Sequence, residues 1–111
     1  MNSRIEIWLF IAQRASAAIL APLIIIHLAT MIYAVQGGLS AKEIVDRTEG
    51  SFIWGTIYGL FVAMVAVHAP IGMRSIIREI TPWRGKSLDW AAVFFFVLIA
   101  VLGIRAIWLL I

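Results

Sequence analysis

The sequence predicts an all-α membrane protein in which three transmembrane helices form half of a helical bundle. The first observation is composition, because 63% of the 111 residues are hydrophobic and only 14% are charged, with a mean hydropathy of +1.01. One small soluble core cannot bury so large an apolar fraction. The second is length, because the apolar stretches 15–35, 52–77 and 88–111 each reach the roughly 20 residues that cross about 30 Å of hydrocarbon.

The first helix is predicted to cover about residues 10–36. Gly37 and Gly38 follow it, and glycine commonly ends a helix because it accepts the backbone conformation needed there. Beyond them, Ser40 is expected to cap a short amphipathic turn through Glu43. The segment before this helix carries charged residues and lacks the uninterrupted apolar region of a cleavable signal, so we expect the helix to remain in the protein.

The second and third helices are predicted at about residues 52–80 and 87–111. Pro82 stops the second helix, because proline has no backbone N–H and cannot continue the hydrogen-bond ladder. No internal repeat and no long linker divides the chain. The prediction is therefore a single transmembrane anchor domain over residues 1–111.

The charge distribution predicts the orientation in the membrane. Six basic residues lie at the N-terminus or at the second connection: Arg4, Arg14, Arg74, Arg78, Arg84 and Lys86. The first connection instead mixes basic with acidic residues, so the positive-inside rule places the N-terminus in the cytoplasm. The short chain without a presequence favours a multi-pass protein of a bacterial cytoplasmic (inner) membrane. The basic residues flank apolar segments and form no stripe, so nucleic acid is not an expected partner.

The strongest candidate functional residue is a histidine inside the second apolar stretch. His68 lies about 15 Å from Arg78 along the helix, at a depth where an unpaired imidazole costs several kcal/mol. Pro70 removes a backbone donor and Gly72 removes a side chain one turn away, which opens space beside the ring. A haem needs an axial nitrogen and a close backbone approach. His68 is therefore a candidate ligand of haem iron, and a hydrogen bond to a neighbouring helix is the alternative.

A second histidine lies in the first helix. His27 is about 20 Å from Arg14 along that helix and still within the membrane. It could ligate a second haem, contact a quinone, or bond a carbonyl of a neighbouring helix. Because the two histidines differ in depth, the second axial ligand of a haem is expected from another chain. The sequence has no cysteine, so thiolate and iron–sulfur ligation by this chain are excluded.

Polar residues also lie at the cytoplasmic ends of the first two helices. Arg14, Ser16 and Arg74 are candidates for binding haem propionates or polarising a quinone carbonyl, because guanidinium offers a planar fork of donors. Arg74 is the nearest of the arginines to His68. The alternative is that the arginines extend to water and anchor the helices. We find no nucleophile–base pair, phosphate loop or carboxylate pair within the spans, so catalysis by this chain alone is not expected.

Two stretches resemble a known family: Arg14-Ala15-Ser16-Ala17-Ala18 and His68-Ala69-Pro70-Ile71-Gly72-Met73-Arg74. They are similar to the membrane-anchor (cytochrome b) subunits of succinate dehydrogenases and fumarate reductases. The resemblance covers nearly the whole chain in length and three-helix layout. Its most specific part is the histidine followed four residues later by glycine.

The resemblance implies a haem b-binding anchor that passes electrons between an iron–sulfur subunit and membrane quinone. The implied partners also include a flavoprotein subunit and a second membrane-anchor chain, and the succinate or fumarate chemistry belongs to partner subunits. His68 would be an axial haem ligand, with Arg14, Ser16 and Arg74 near the propionates or the quinone.

Two features bear on how far the resemblance extends. Some family members have an acidic residue followed by tyrosine at the end of the second helix, whereas this chain has Glu79 followed by Ile80. A tyrosine hydroxyl for quinone is therefore missing there. A histidine in the first helix occurs in members with two haems, which favours His27 as the ligand of a second haem. The alternative function is an anchor, with or without haem, that recruits a different dehydrogenase to the quinone pool.

Overall fold

Four helices make up most of the chain in the computed structural model, which describes residues 3–111. They are α1 (Ser3–Gly37), α2 (Ala41–Thr48), α3 (Phe52–Ile80) and α4 (Lys86–Leu110). Helices α1, α3 and α4 are each long and apolar enough to cross a membrane. The prediction of an all-α protein with three membrane-spanning helices is therefore confirmed.

Helix α1 begins well before the predicted start near residue 10, at Ser3. The additional segment carries the charged residue Glu6. In the structure this carboxylate pairs with two arginines of α3, Arg74 and Arg78. Because these ion pairs compensate the charge of Glu6, α1 can include this residue.

The predicted stop signals lie where the helices end. Helix α1 ends at Gly37, and Gly38 has a φ of +123°, a conformation that side-chain-bearing residues rarely adopt. Helix α3 ends at Ile80, just before Thr81 and Pro82. The segment after Ser40 forms more than the expected short turn, because it continues as α2.

Helix α3 packs against both α1 and α4. Its contact with α4 is close, because a Cβ added to Gly103 would overlap the side chain of Val62. Helix α2 lies at the far end of α4, where Thr48 Oγ1 donates a hydrogen bond of 2.8 Å to the carbonyl of Leu110. The central position of α3 lets its side chains contact both of the other long helices.

Most large apolar side chains of α1 and α4 are exposed in the isolated chain. Such surface suits lipid or another apolar helix rather than water. The buried residues of α1 instead face α3 and include Ser16, Leu20 and Leu23. A polar residue among the most buried side chains of α1 directs attention to the α1–α3 interface.

Candidate functional site

The α1–α3 interface brings Ser16 and His68 together. Ser16 Oγ lies 3.5 Å from His68 Nδ1, at the long limit of a hydrogen bond. Ser16 is only 2% exposed, whereas His68 is partly buried. The Ser16 hydroxyl also donates to the carbonyl of Gln13 at 3.0 Å. Two candidate site residues that were identified in separate stretches of sequence are therefore neighbours in the fold.

Gln13 is a residue of this site that the sequence analysis did not identify. A Cβ built on Gly72 would lie 3.1 Å from Gln13 Nε2, so the amide fills the space that Gly72 was expected to leave open. Gln13 Oε1 is buried and has no hydrogen-bond partner in the described part of the chain. The site therefore holds an acceptor oxygen, Gln13 Oε1, that lacks a donor. Gln13 lies beside Gly72, which is one helical turn from His68 on α3.

Arg74 lies in an ion-pair cluster that we call the Arg74 cluster, formed by Glu6, Arg74, Arg78 and Asp89. Arg74 Nη2 and Nη1 donate to the Glu6 carboxylate at 2.7 and 3.3 Å, and Nε donates to Asp89 Oδ1 at 2.9 Å. The Arg74 side chain is 7% exposed. Each guanidinium nitrogen thus already donates to a carboxylate, and a haem propionate would have to compete with Glu6 and Asp89.

The Arg74 cluster also shows which helix ends lie together. Glu6 belongs to the start of α1, Arg74 to the last turns of α3, and Asp89 to the first turn of α4. The start of α1 and the α3–α4 connection therefore share one end of the bundle, called here the basic end. Glu6 and Asp89 could have been suspected from sequence as the acidic residues within this basic region.

Arg14 differs from Arg74 in having no carboxylate partner. Its guanidinium lies 5.3 Å from the centre of the Phe10 ring, and no salt bridge to it is present among the residues described. Arg14 is exposed. Its N–H donors therefore remain available for an anionic or carbonyl-bearing ligand.

An open cavity of about 240 Å³ lies between α1 and α3 at the basic end. Its lining comprises Glu6, Leu9, Phe10, Gln13, Ile71, Arg74 and Ser75. The cavity thus adjoins both the Arg74 cluster and the Gln13 amide.

His27 occupies a separate, aromatic environment nearer the other end of the bundle. Its ring centre lies 5.1 Å from that of Phe61 and 6.5 Å from that of Tyr58. Thr30 Oγ1 donates to the His27 carbonyl at 2.7 Å. His27 Nδ1 is buried without a hydrogen-bond partner in residues 3–111, unlike His68 Nδ1, which has Ser16.

The two histidines lie at different depths, as predicted. His68 is opposite Ser16, and His27 is eleven residues beyond Ser16 on α1, or roughly 16 Å along the helix. They cannot bind opposite faces of one haem.

The described residues contain no cluster of three histidine, cysteine or acidic side chains able to hold a metal ion. Haem is held through axial ligands rather than such a cluster. A single imidazole in a membrane-spanning helix, with its Nδ1 beside a hydroxyl oxygen, fits the donor set of one axial ligand.

Comparison with known protein families gave a match over nearly the whole chain. A family model described as succinate dehydrogenase/fumarate reductase transmembrane subunit matches residues 1–108. The matched range covers α1, α3 and nearly all of α4, and it includes both His27 and His68. The search of curated proteins and the search of solved structures each gave no match.

Proposed function

The chain belongs to the succinate dehydrogenase/fumarate reductase transmembrane-subunit family, and on that premise we propose that it is the haem b-binding membrane anchor of such a complex. It would pass electrons between the iron–sulfur subunit and membrane quinone. The flavoprotein and iron–sulfur subunits would carry the succinate or fumarate chemistry. A second anchor chain would complete the helical bundle.

The observation that carries this proposal is the contact between His68 and Ser16. His68 lies within a membrane-spanning helix, and its Nδ1 is 3.5 Å from Ser16 Oγ. An imidazole with one nitrogen beside a hydrogen-bonding oxygen can offer the other nitrogen to iron. His68 is thus the proposed axial ligand. Gly72, one turn away, carries no side chain, so the ring of the cofactor would approach the helix there by displacing the Gln13 amide, whose Nε2 lies 3.1 Å from an added Cβ.

Bound haem supplies reversible one-electron transfer, and the residues around it would bind and orient its polar edge. Arg14 is the more available donor to a propionate or a quinone carbonyl, because its guanidinium has no carboxylate partner among the described residues. Arg74 is held by Glu6 and Asp89. We therefore propose that Arg74 holds the helix ends together beside the cofactor. It would contact a propionate only if the propionate displaced the carboxylate of Glu6 or Asp89.

His27 is the proposed ligand of a second haem. Its support is the buried Nδ1 atom without a partner in the described residues, because an unsatisfied buried polar atom costs about 1–3 kcal/mol. A partner from outside this chain would remove that cost. When Nε2 of an imidazole ligates a metal, Nδ1 commonly donates a hydrogen bond, and His27 Nδ1 has no partner among residues 3–111.

The proposed orientation puts the basic end at the cytoplasmic face of a bacterial membrane. Six basic residues against three acidic ones lie in the N-terminal segment and around the α3–α4 connection, and positive residues favour the cytoplasmic side. The iron–sulfur subunit would then dock at this end, next to Arg14 and the Arg74 cluster.

The test is a haem count on the complex purified through a tag on this chain. We expect the flavoprotein and iron–sulfur subunits to copurify, with one or two haem b per copy of the chain. A complex that contains these subunits but no haem b would support the haem-free anchor instead.

A further inference from the structure

Ser16 is engaged on two sides although it is almost completely buried. Its Oγ lies 3.0 Å from the Gln13 carbonyl oxygen and 3.5 Å from His68 Nδ1. Only 2% of the residue is exposed, so solvent is a poor alternative partner for its hydroxyl. The directions of these two hydrogen bonds determine which tautomer of His68 the site favours.

A serine hydroxyl has one proton and two lone pairs. The carbonyl of Gln13 can only accept, so the Ser16 proton is directed at Gln13. Ser16 then offers a lone pair to His68, and Nδ1 must be the donor in that contact. In a neutral imidazole the other nitrogen, Nε2, carries the free lone pair.

We infer that Ser16 is a positioning residue for His68: its Oγ accepts a hydrogen bond from Nδ1–H, which leaves the lone pair of Nε2 to ligate iron. The inference rests on the proposed function, since it assumes that His68 binds haem. It assigns Ser16 to the orientation of His68, the residue that would ligate iron. This role differs from contact with a propionate or a quinone.

Gly72 and Gln13 connect this contact to the packing of the helices. The Gln13 side chain lies over Gly72, with Nε2 3.1 Å from the position of an added Cβ, and the Gln13 carbonyl holds the Ser16 hydroxyl. The same short segment of α1 therefore packs against α3 and directs the serine proton away from His68.

The predicted consequence is electronic. A hydrogen-bond acceptor at Nδ1–H raises the basicity of a ligating imidazole, and a more basic ligand stabilises ferric over ferrous iron. Removing the acceptor should therefore raise the haem midpoint potential. Mutating an outer-shell partner typically changes metal affinity or activity by roughly tenfold at the lower end. A change of that size in the ferrous-to-ferric ratio corresponds to about 59 mV for one electron.

The experiment is a redox titration of the haem in the purified complex, followed by its absorbance. The variants are Ser16→Ala, which removes only the hydroxyl, and Ser16→Thr, which keeps an acceptor oxygen. The control is Thr56→Val, because Thr56 Oγ1 also donates to a backbone carbonyl of its own helix, that of Phe52 at 2.8 Å, but lies about 18 Å from His68 along α3.

We expect Ser16→Ala to keep its haem with a raised midpoint potential, and Ser16→Thr and Thr56→Val to keep the parental value. An unchanged potential in a haem-loaded Ser16→Ala complex overturns the inference and leaves the proposed function intact. If the Ser16→Ala complex loses its haem, the Ser16→Thr complex provides the test. A parental midpoint potential in Ser16→Thr supports the inference, and loss of haem from Ser16→Thr as well overturns it. Absence of haem b from the parent complex would overturn the proposed function itself.

Discussion

Arg74 and Glu6 join helix α3 to helix α1 by two hydrogen bonds, at 2.7 and 3.3 Å. Asp89 of α4 accepts a third from the same guanidinium at 2.9 Å. One buried side chain thus links all three membrane-spanning helices at the basic end. A guanidinium within a membrane-spanning helix needs such partners, because an uncompensated charge is costly there.

The Arg74→Gln variant should be markedly less stable than the parent. It leaves Asp89 without its ion-pair partner and Glu6 with Arg78 alone, and breaking a buried pair by removing one partner typically costs about 3–5 kcal/mol. Denaturant unfolding of the complex in detergent would measure the change. The control is Lys42→Gln, because Lys42 pairs with Asp46 at 3.6 Å and its side chain is 88% exposed. Exposed pairs contribute little, so a similar loss of stability in both variants would contradict this prediction.

The positions of the helices could largely be predicted from sequence, because they depend on local properties. Apolar length locates the three spans, and Gly37, Gly38 and Pro82 lie where helices end. The start of α1 could not be predicted in the same way. It depends on Glu6 pairing with Arg74, 68 positions further along the chain, and hydropathy does not show which distant charges meet.

The candidate site was predictable in its residue types but not in its contacts. His68 and Ser16 were identified separately, and their proximity depends on how α1 packs along α3. The same packing brings in Gln13, whose sequence context is that of an ordinary helix residue. Arg74 was expected to face a propionate, and only the fold shows that Glu6 and Asp89 already accept from its three nitrogens.

The Gly72→Leu variant should lose most of the haem signal that depends on His68. A leucine at this position would extend into the Gln13 amide, since even a Cβ would lie 3.1 Å from Nε2, and would occupy the approach of the cofactor to the helix. Gly59→Leu is the control on the same helix, because nothing lies within 4 Å of a Cβ there. The measurement is haem b content of the purified complexes. Equal haem content in the two variants would exclude the proposed role of Gly72.

The His27→Ala variant should remove one haem of two and leave the signal of the other intact. His27 lies beside Phe61 and Tyr58, far in depth from Ser16 and His68, so its loss should not disturb the first haem. Quantified haem b per copy of the chain is the measurement. A count that stays the same as in the parent would assign His27 to packing against α3.

The central claim is that His68 ligates haem b, and the most direct measurement is a dithionite-reduced minus oxidised absorbance spectrum of the purified complex with and without His68→Ala. The account predicts a b-type signal in the parent whose His68-dependent component disappears in the variant, with the partner subunits still assembled. A signal of unchanged size and shape in His68→Ala would contradict it.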